Sequence, residues 1–576
     1  MWTYSTKYPI RRLEEIIGQT YDYIVVGGGT AGSAVASRLS EDPGTTVLLL
    51  ERGSYCDNFK SKIPLASIAS GSYAAPRMST PEPGAGGRSV EILSAETLGG
   101  TSRMNGMIYT RGARAYYDRW SQNGEEWSWV NVEPSFKSVE RTVSLHQTSN
   151  LESDVYPFLE WSANKLGLPS ENNFNKPGSP TAGYFNFDLT IDPKGYRQSA
   201  FHAYLPKAIA IQRQTSLHIC TDVVVSRLDL DPLCGLVRGV FVHPSGASNP
   251  KPHLISAKRE IVLAAGAICS PQILQLSGIG SRPTLKSLGI PVVRDLRGVG
   301  SHLSDHPLIP ISIEVPIEDS IQQLQDSFWQ IIKHALLYLV AGRGWLKSAL
   351  DRGIFFNTSH LNQETGILRE PEVTPYSNKA EDLANAEIII LPIGTPPTKS
   401  PGKGLVSLQL CLLQPRSTGS IQVKSLDANE SPQVKLNMMS DPEDREVARK
   451  ALRFTLHLAE LFVHRSGYPK ASRIFHHPGN RNGDGWNEND WRSVSDACLD
   501  EYVQKNVVSS FHLTSSCRMA SAEEGGVVDG QLRVHGFKNL RIADASVLPG
   551  VPPAHPMAAV YMVAERCADF IKKMWS

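Results

Sequence analysis

Cysteine is scarce: the 576 residues contain 8, and no two form a Cys-x-x-Cys pair. That excludes the common zinc-finger spacings and a dithiol redox motif, and no His/Cys/Asp spacing offers a metal site instead. Cys220, Cys269, Cys411 and Cys567 sit in apolar runs and read as buried small hydrophobes. A surplus of charge is missing too. With 58 basic and 57 acidic residues the formal net charge is +1, which offers nothing to nucleic acid or an anionic membrane. No stretch approaches the roughly 18 uninterrupted apolar residues of a membrane span. The first twenty residues, MWTYSTKYPIRRLEEIIGQT, lack the apolar core of a secretory signal, so a cytoplasmic location is expected. Sequons at Asn357 and Asn429 carry little weight without such a signal. The chain has no internal repeat or low-complexity tract, and its length predicts two or more core-bearing units.

What is present begins at Tyr21. YDYIVVGGGTAGSAVASRL reads as a buried strand, a tight glycine turn and a helix, and TTVLLLERG follows as a second strand that is apolar on both faces. Gly27, Gly29 and Gly32 form G-x-G-x-x-G directly after the first strand. The first glycine permits the turn, the second lets backbone N–H groups approach a pyrophosphate, and the third lets helix pack on strand. Thr30 opens the helix, whose N-terminus offers partial positive charge to phosphate. Glu51 ends the second strand, where a carboxylate can accept from ribose hydroxyls. This order points to a dinucleotide without separating FAD from NAD.

Farther along, residues 1–20 read as a charged, partly helical lead-in and residues 56–90 as loop. Residues 216–242, 253–263 and 385–440 alternate like strands. EDREVARKALRFTLHLAELF and the last twenty residues read as amphipathic helices. The segment 320–341, with Phe328, Trp329, Ile332, Leu336, Leu337 and Leu339, predicts a helix ended by Gly342 that packs as core or lid. A membrane-surface helix is the competing reading, disfavoured because the polar face is not strongly basic.

Five segments together resemble the glucose–methanol–choline (GMC) oxidoreductases. They are the glycine turn, AETLGGTSRMNGMIYTRGARAYYDRW (95–120), GAICSPQILQLSGIG (266–280), GVGSHLSDHP (298–307) and the C-terminal pair FHLTSSCRM and PPAHPMAAVYMVAE. The resemblance implies an α/β chain in which a Rossmann-like FAD-binding domain is interleaved with an α+β substrate domain built on an antiparallel sheet. The expected FAD-binding parts are 1–130, 191–310 and 505–576; the substrate domain takes 131–190 and 311–504. It also implies one FAD per chain and oxidation of a primary or secondary alcohol to the carbonyl. The expected partners are that small-molecule alcohol and oxygen or another electron acceptor, with specialised metabolism as one setting.

Residue by residue, the resemblance puts Gly99, Gly100, Thr101, Asn105 and Met107 along the flavin and pyrophosphate. Asp544 and Ala545 fall by the phosphate–ribose region, the Val223 backbone by the adenine, and Pro556 and Met557 by the flavin. A terminal helix starting at Pro556 would aim its positive end at the flavin and favour an anionic reduced form. Two departures stand out. Glu96 occupies a position that is usually basic, which unsettles the phosphate-side electrostatics. Met104 replaces the histidine that some members bond to the flavin, so the expected FAD is non-covalent.

Oxidising an alcohol removes a hydroxyl proton and a hydride from one carbon; flavin N5 accepts the hydride, and the protein supplies a base. Histidine suits that task, with an unperturbed pKa of about 6.5. The resemblance makes His512 the base and His555 the residue that hydrogen-bonds the substrate oxygen. Competing readings are a hydroxynitrile-lyase-type lyase on the same scaffold, a light-driven decarboxylase of the same fold, and a flavoprotein without turnover. A lyase would not bleach its flavin when given an alcohol anaerobically.

Overall fold

The glycine turn joins a seven-residue strand, Thr20–Val26, to a ten-residue helix, Thr30–Leu39. The computed structural model describes residues 7–69, 73–148, 153–176, 179–231, 234–247, 251–347, 350–369, 382–394, 402–479 and 490–576. It is a mixed α/β chain organised around two large sheets.

The first sheet has eight strands, in the order Ile10–Arg11, Leu217–Cys220, Val47–Leu50, Thr20–Val26, His253–Leu263, Leu236–Pro244 and Val223–Asp231, with Leu540–Ile542 also pairing the His253–Leu263 strand. Its central pairs are parallel, and the last two connections are antiparallel. Ile24, Val25 and Val47 to Leu50 are buried, as continuous apolar strands covered on both faces must be. One cover is the helix Thr30–Leu39, which packs against the terminal helix Met557–Trp575. Arg38 of the first helix grips Glu565 of the last through Nε and Nη2 at 2.9–3.1 Å, and the Tyr204 hydroxyl donates to the same carboxylate.

The second sheet also has eight strands. Their order is Arg473–His476, Pro307–Pro316, Lys403–Leu412, Ala386–Leu391, Arg352–Phe356, Gly183–Asn186 and Ser170–Glu171, with Val508–Ser509 added to Pro307–Pro316. All pairs are antiparallel except the last listed in sequence along the sheet, Ser170–Glu171 with Gly183–Asn186. A 23-residue helix, Pro442–His464, lies over it. Asp441 caps that helix by accepting the Glu443 N–H at 2.8 Å, and Pro442 takes the first helical position, where a missing N–H costs nothing. Leu452, Leu456, Ala459 and Phe462 form its buried stripe.

Three sequence expectations need correction and one is completed. Residues 56–90 are not all loop: Pro64–Ala69 is helical, and Ala74–Met78 pairs antiparallel with Glu91–Ala95. The lead-in is helical at Leu13–Ile16, as expected, and also holds an edge strand, Ile10–Arg11, parallel to Leu217–Cys220. Both elements are too short for periodicity to reveal, and distant partners stabilise them. Cys269 is half-buried and faces a cavity, unlike buried Cys220, Cys411 and Cys567. The helix Phe328–Ala341 exists and ends at Gly342 in the left-handed conformation, but Phe328, Trp329, Leu336 and Leu339 are exposed and not packed as core. Among the described residues, no helix is long and apolar enough to cross a membrane.

Candidate active site

A cavity of about 880 Å³ runs from the glycine turn to the two C-terminal histidines, with walls from both sheets. Every predicted site residue except Gly32 and Gly99 lines it. Those two stand behind the wall. A Cβ on Gly32 would lie 1.8 Å from the Gly27 carbonyl oxygen, which explains the third glycine as a helix–strand contact. A Cβ on Gly99 would meet Phe201 at 2.9 Å.

The dinucleotide end is built from backbone. Gly27 turns at φ +100°, and a Cβ there would fall 2.5 Å from the Ala264 carbonyl oxygen. Gly29 heads the helix Thr30–Leu39, and no side chain caps it. A Cβ on Gly29 would find nothing nearer than the Gly100 Cα at 3.9 Å, so open space lies before it, whereas one on Gly100 would meet the Gly29 Cα at 2.7 Å. Two glycine loops thus touch beside an uncapped helix N-terminus, an arrangement that favours a phosphate group. The Glu51 carboxylate accepts the Gly28 and Gly53 N–H groups at 2.7 and 2.8 Å. Burial nevertheless pushes it up to about 7. Asp544 is buried and fully engaged: Oδ2 accepts from Gly266 N–H and the Ser270 hydroxyl, Oδ1 from Ser546. The Val223 N–H donates to the Glu51 carbonyl at 3.1 Å. Glu96 does not leave an unbalanced negative charge, because Arg77 Nη2 meets it at 2.8 Å and Arg52 Nη1 at 3.4 Å. Glycine approach, open space and a buried carboxyl on the cavity wall fit FAD.

Toward the histidines the wall is the loop Thr101–Met107. Asn105 Oδ1 accepts from the Met107 N–H at 3.1 Å and from Arg197 Nη1 at 2.9 Å, while Met104 is buried against the cavity. Arg197 escaped the sequence reading. It is wholly buried and also donates to the Ser67 hydroxyl, the Ser102 carbonyl and the Asn105 carbonyl. Burial lowers it to about 9, yet its five N–H donors clamp this loop. Nothing in GYRQSAFHAYL distinguishes that arginine from a surface one. Pro556, Met557 and Val560 bring the start of the terminal helix to the same wall, with no side chain capping it.

His512 and His555 meet there, rings 5.0 Å apart at 80°. A third histidine, His306, completes the group, with Nδ1 2.9 Å from His512 Nδ1. It falls within GVGSHLSDHP, and nothing in that segment alone tells its task. Buried Asp305 braces the pair by accepting both backbone N–H groups at 2.9 Å, and the Ser509 hydroxyl donates to its other oxygen. Phe511 enters His512 at φ +61°, a left-handed conformation rare outside glycine, and its N–H donates to Ser509 Oγ.

These contacts assign the protons. His306 Nε2 lies 3.2 Å from the Leu413 carbonyl, which can only accept, so that nitrogen carries a hydrogen. Burial first, then the neighbouring His555, push His306 down to about 3, with the carbonyls of Leu413 and Pro552 offsetting this only in part. The ring is therefore neutral, and its Nδ1 is a lone pair. His512 Nδ1 must then donate, which leaves His512 Nε2 unprotonated. Burial, followed by His555 and His306, holds His512 well below the usual imidazole range, so the ring rests neutral. His555 is fixed from the other side. Its N–H donates to Thr110 Oγ1 at 3.0 Å, and Nε2 lies 2.9 Å from Oε1 of wholly buried Glu387. The Glu387 carboxyl thus holds the His555 ring by Nε2. Glu387 was also missed; it sits mid-strand in Ala386–Leu391, 168 positions from its partner.

Two family profiles, both described as GMC oxidoreductase, match residues 21–308 and 415–564. The chain is a GMC oxidoreductase. It is 30% identical to an oxygen-dependent choline dehydrogenase of Pseudomonas syringae pv. tomato, an alignment spanning 96% of this chain and 93% of the relative. A formate oxidase variant of Aspergillus oryzae, described for its effect on FAD modification, superposes with a TM-score of 0.81 at 25% identity, covering 97% and 99% of the two chains. An FAD-dependent oxidoreductase of Chaetomium thermophilum superposes at 0.80 with 25% identity, covering 96% and 99%. Membership makes this GMC oxidoreductase an FAD-dependent enzyme acting on CH–OH groups.

Proposed function

We propose that the enzyme oxidises an uncharged primary or secondary alcohol to its carbonyl, with His512 Nε2 removing the hydroxyl proton and His555 holding the alcohol oxygen. The observation that carries this reading is the Leu413–His306–His512 chain, which leaves one lone pair on His512 free for the cavity. A base must be unprotonated and placed before the substrate arrives, and the two contacts support both. FAD, when bound, supplies the hydride acceptor. Gly27, Gly29, Thr30, Glu51, Gly100 and Asp544 would hold its dinucleotide part, and Thr101, Asn105, Met107, Ala545, Pro556 and Met557 its flavin part. Met104 offers a thioether where a covalent bond would need an imidazole, which favours non-covalent FAD. The two sheets support the interleaved domain plan, because chain segments leave the first, build the second and return, although Pro307–Pro310 and Val508–Ser509, expected in the FAD-binding part, belong to the second sheet.

The substrate end favours an uncharged alcohol. The second sheet contributes Leu308, Pro310, Ile389, Leu391 and Gln409, and Ile68 and Leu350 join them. None of these seven side chains carries a charge; the carboxylates on the cavity wall, Glu51, Glu91, Glu96 and Asp544, come from other segments, and Glu387 is engaged by His555. The test is a visible spectrum of the purified protein followed by anaerobic titration with uncharged alcohols. Bleaching of the flavin bands that disappears in His512→Ala supports the proposal. A spectrum that stays oxidised while a cyanohydrin is cleaved would move the enzyme to the lyase reading.

A further inference from the structure

The helix Phe328–Ala341 presents its apolar side to solvent. Phe328, Trp329, Leu336, Leu339 and Val340 are 57–84% exposed. Phe328, Leu336 and Leu339 lie at i, i+8 and i+11, and Trp329 and Val340 at i+1 and i+12, so the five share one side of the cylinder. None of the described residues covers this stripe. Its opposite side is firmly attached. Tyr338 is buried and donates to the Gly195 carbonyl at 2.9 Å, and His334 and wholly buried Trp345 pin the following turn, the latter against Ile321 and Leu65. The exposed face is therefore held outward by a fixed underside.

Charge names the occupant. Lys333, Arg343 and Lys347 lie in or just after the helix, against Asp326 directly before it and Asp192 close to Tyr338, so a modest basic excess remains once Lys194 is counted. Lys333 and Arg343 are exposed at the flanks of the stripe, and Lys194, also exposed, lies next to Gly195 under the helix. An apolar stripe with an interfacial tryptophan and basic flanks is what an anionic bilayer surface accepts. The near-zero net charge of the whole chain conceals this local surplus. The position also has a consequence. The chain leaving the helix reaches Leu350 in the cavity wall, and the helix Pro64–Ala69, whose Leu65 packs under Trp345, contributes Ile68 to the same wall.

We propose that the helix Phe328–Ala341 docks this enzyme on the surface of an anionic membrane, beside the apolar end of the cavity. The docking does not depend on the redox reading. The test is sedimentation of the flavin-loaded full chain with phosphatidylcholine vesicles, with and without about 30% phosphatidylserine. Binding to the anionic vesicles is expected, weakening as salt rises. Trp329→Glu/Leu339→Glu should bind at least about a hundredfold more weakly, and Lys333→Glu about fivefold or more. Both should keep the flavin spectrum and turnover of a water-soluble alcohol, which separates lost docking from lost folding. A chain that stays in the supernatant with both vesicle types overturns the proposal. So does a dimer in solution that Trp329→Glu/Leu339→Glu converts to monomer, because the stripe would then belong to a second copy.

Discussion

Replacing His306 with phenylalanine tests the proton assignment without touching either cavity histidine. The new ring is of similar size but accepts nothing. His512 Nδ1–H then loses its acceptor at 2.9 Å. A buried donor left unpaired costs about 1–3 kcal/mol. His512 avoids that cost by moving its proton to Nε2, the nitrogen that serves as base. The share of enzyme with a lone pair on Nε2 falls by the same energy, roughly 5- to 150-fold at about 1.4 kcal/mol per tenfold. kcat/KM for the alcohol should fall by that factor, and so should the anaerobic rate of flavin reduction. His306→Asn is the control. Its amide oxygen can accept from His512, so it should recover most of the loss. His512→Ala removes the base altogether and should cost about 10²–10⁴. Flavin absorbance per chain, unchanged in all three, guards against misfolding. If His306→Phe keeps kcat/KM within about twofold, or His306→Asn is no better than phenylalanine, the tautomer argument is wrong.

Three more outcomes follow from the same geometry. His512 lies well below the usual imidazole range, so it remains an unprotonated base on mild acidification, and the acid limb of kcat/KM should fall below pH 6.5; a limb centred at or above that pH would show that burial and the neighbouring histidines do not hold the ring neutral. Glu387→Gln keeps an acceptor for His555 Nε2 but loses the charge, and should lower kcat/KM about tenfold, measured by steady-state kinetics; unchanged kinetics would leave Glu387 without a part in positioning His555. Gly29→Ala and Gly32→Ala should part ways in flavin content and thermal melting. The first adds a methyl into open space before the helix, so it should keep the apoprotein's melting temperature and lose flavin, whereas the second drives a methyl to 1.8 Å from the Gly27 carbonyl and should lose both. Normal flavin content in Gly29→Ala would mean that no pyrophosphate passes there.

The dinucleotide unit was legible because its geometry forces its spelling. Only glycine fits where Gly32 meets the Gly27 carbonyl, and only a buried acceptor suits Glu51 between two glycine N–H groups. Glu387 was not legible. In AEIIIL it is one polar residue in an apolar strand, and its meaning comes from a ring 168 positions away. His306 was visible as a letter within a motif, but its task depends on the Leu413 carbonyl, and backbone carbonyls have no letter. The helix Phe328–Ala341 shows a different limit. Periodicity reports that a face is apolar and leaves open whether anything covers it, so a helix with the right end at Gly342, though it starts at Phe328 and not at 320, was expected to pack where it is exposed. Arg197 fails for a related reason: sequence alone does not say that an arginine is buried.

Both histidines hang from the C-terminal segments, yet neither sets its own proton. Glu387 belongs to the strand Ala386–Leu391, and Leu413 directly follows the strand Lys403–Leu412 paired with it. The Leu413 N–H donates to the Asn385 carbonyl at 2.9 Å, so the two proton-setting groups are fastened to each other by one sheet edge. That sheet also lines the substrate end of the cavity through Ile389, Leu391 and Gln409. The apolar wall of the cavity is thus continuous with the groups that contact His306 and His555. A shift of the second sheet by about 1 Å would lengthen the contacts at 3.2 and 2.9 Å past hydrogen-bonding range together. Base, donor and substrate wall then stand or fall as one unit, although the chain supplies them from segments more than a hundred residues apart.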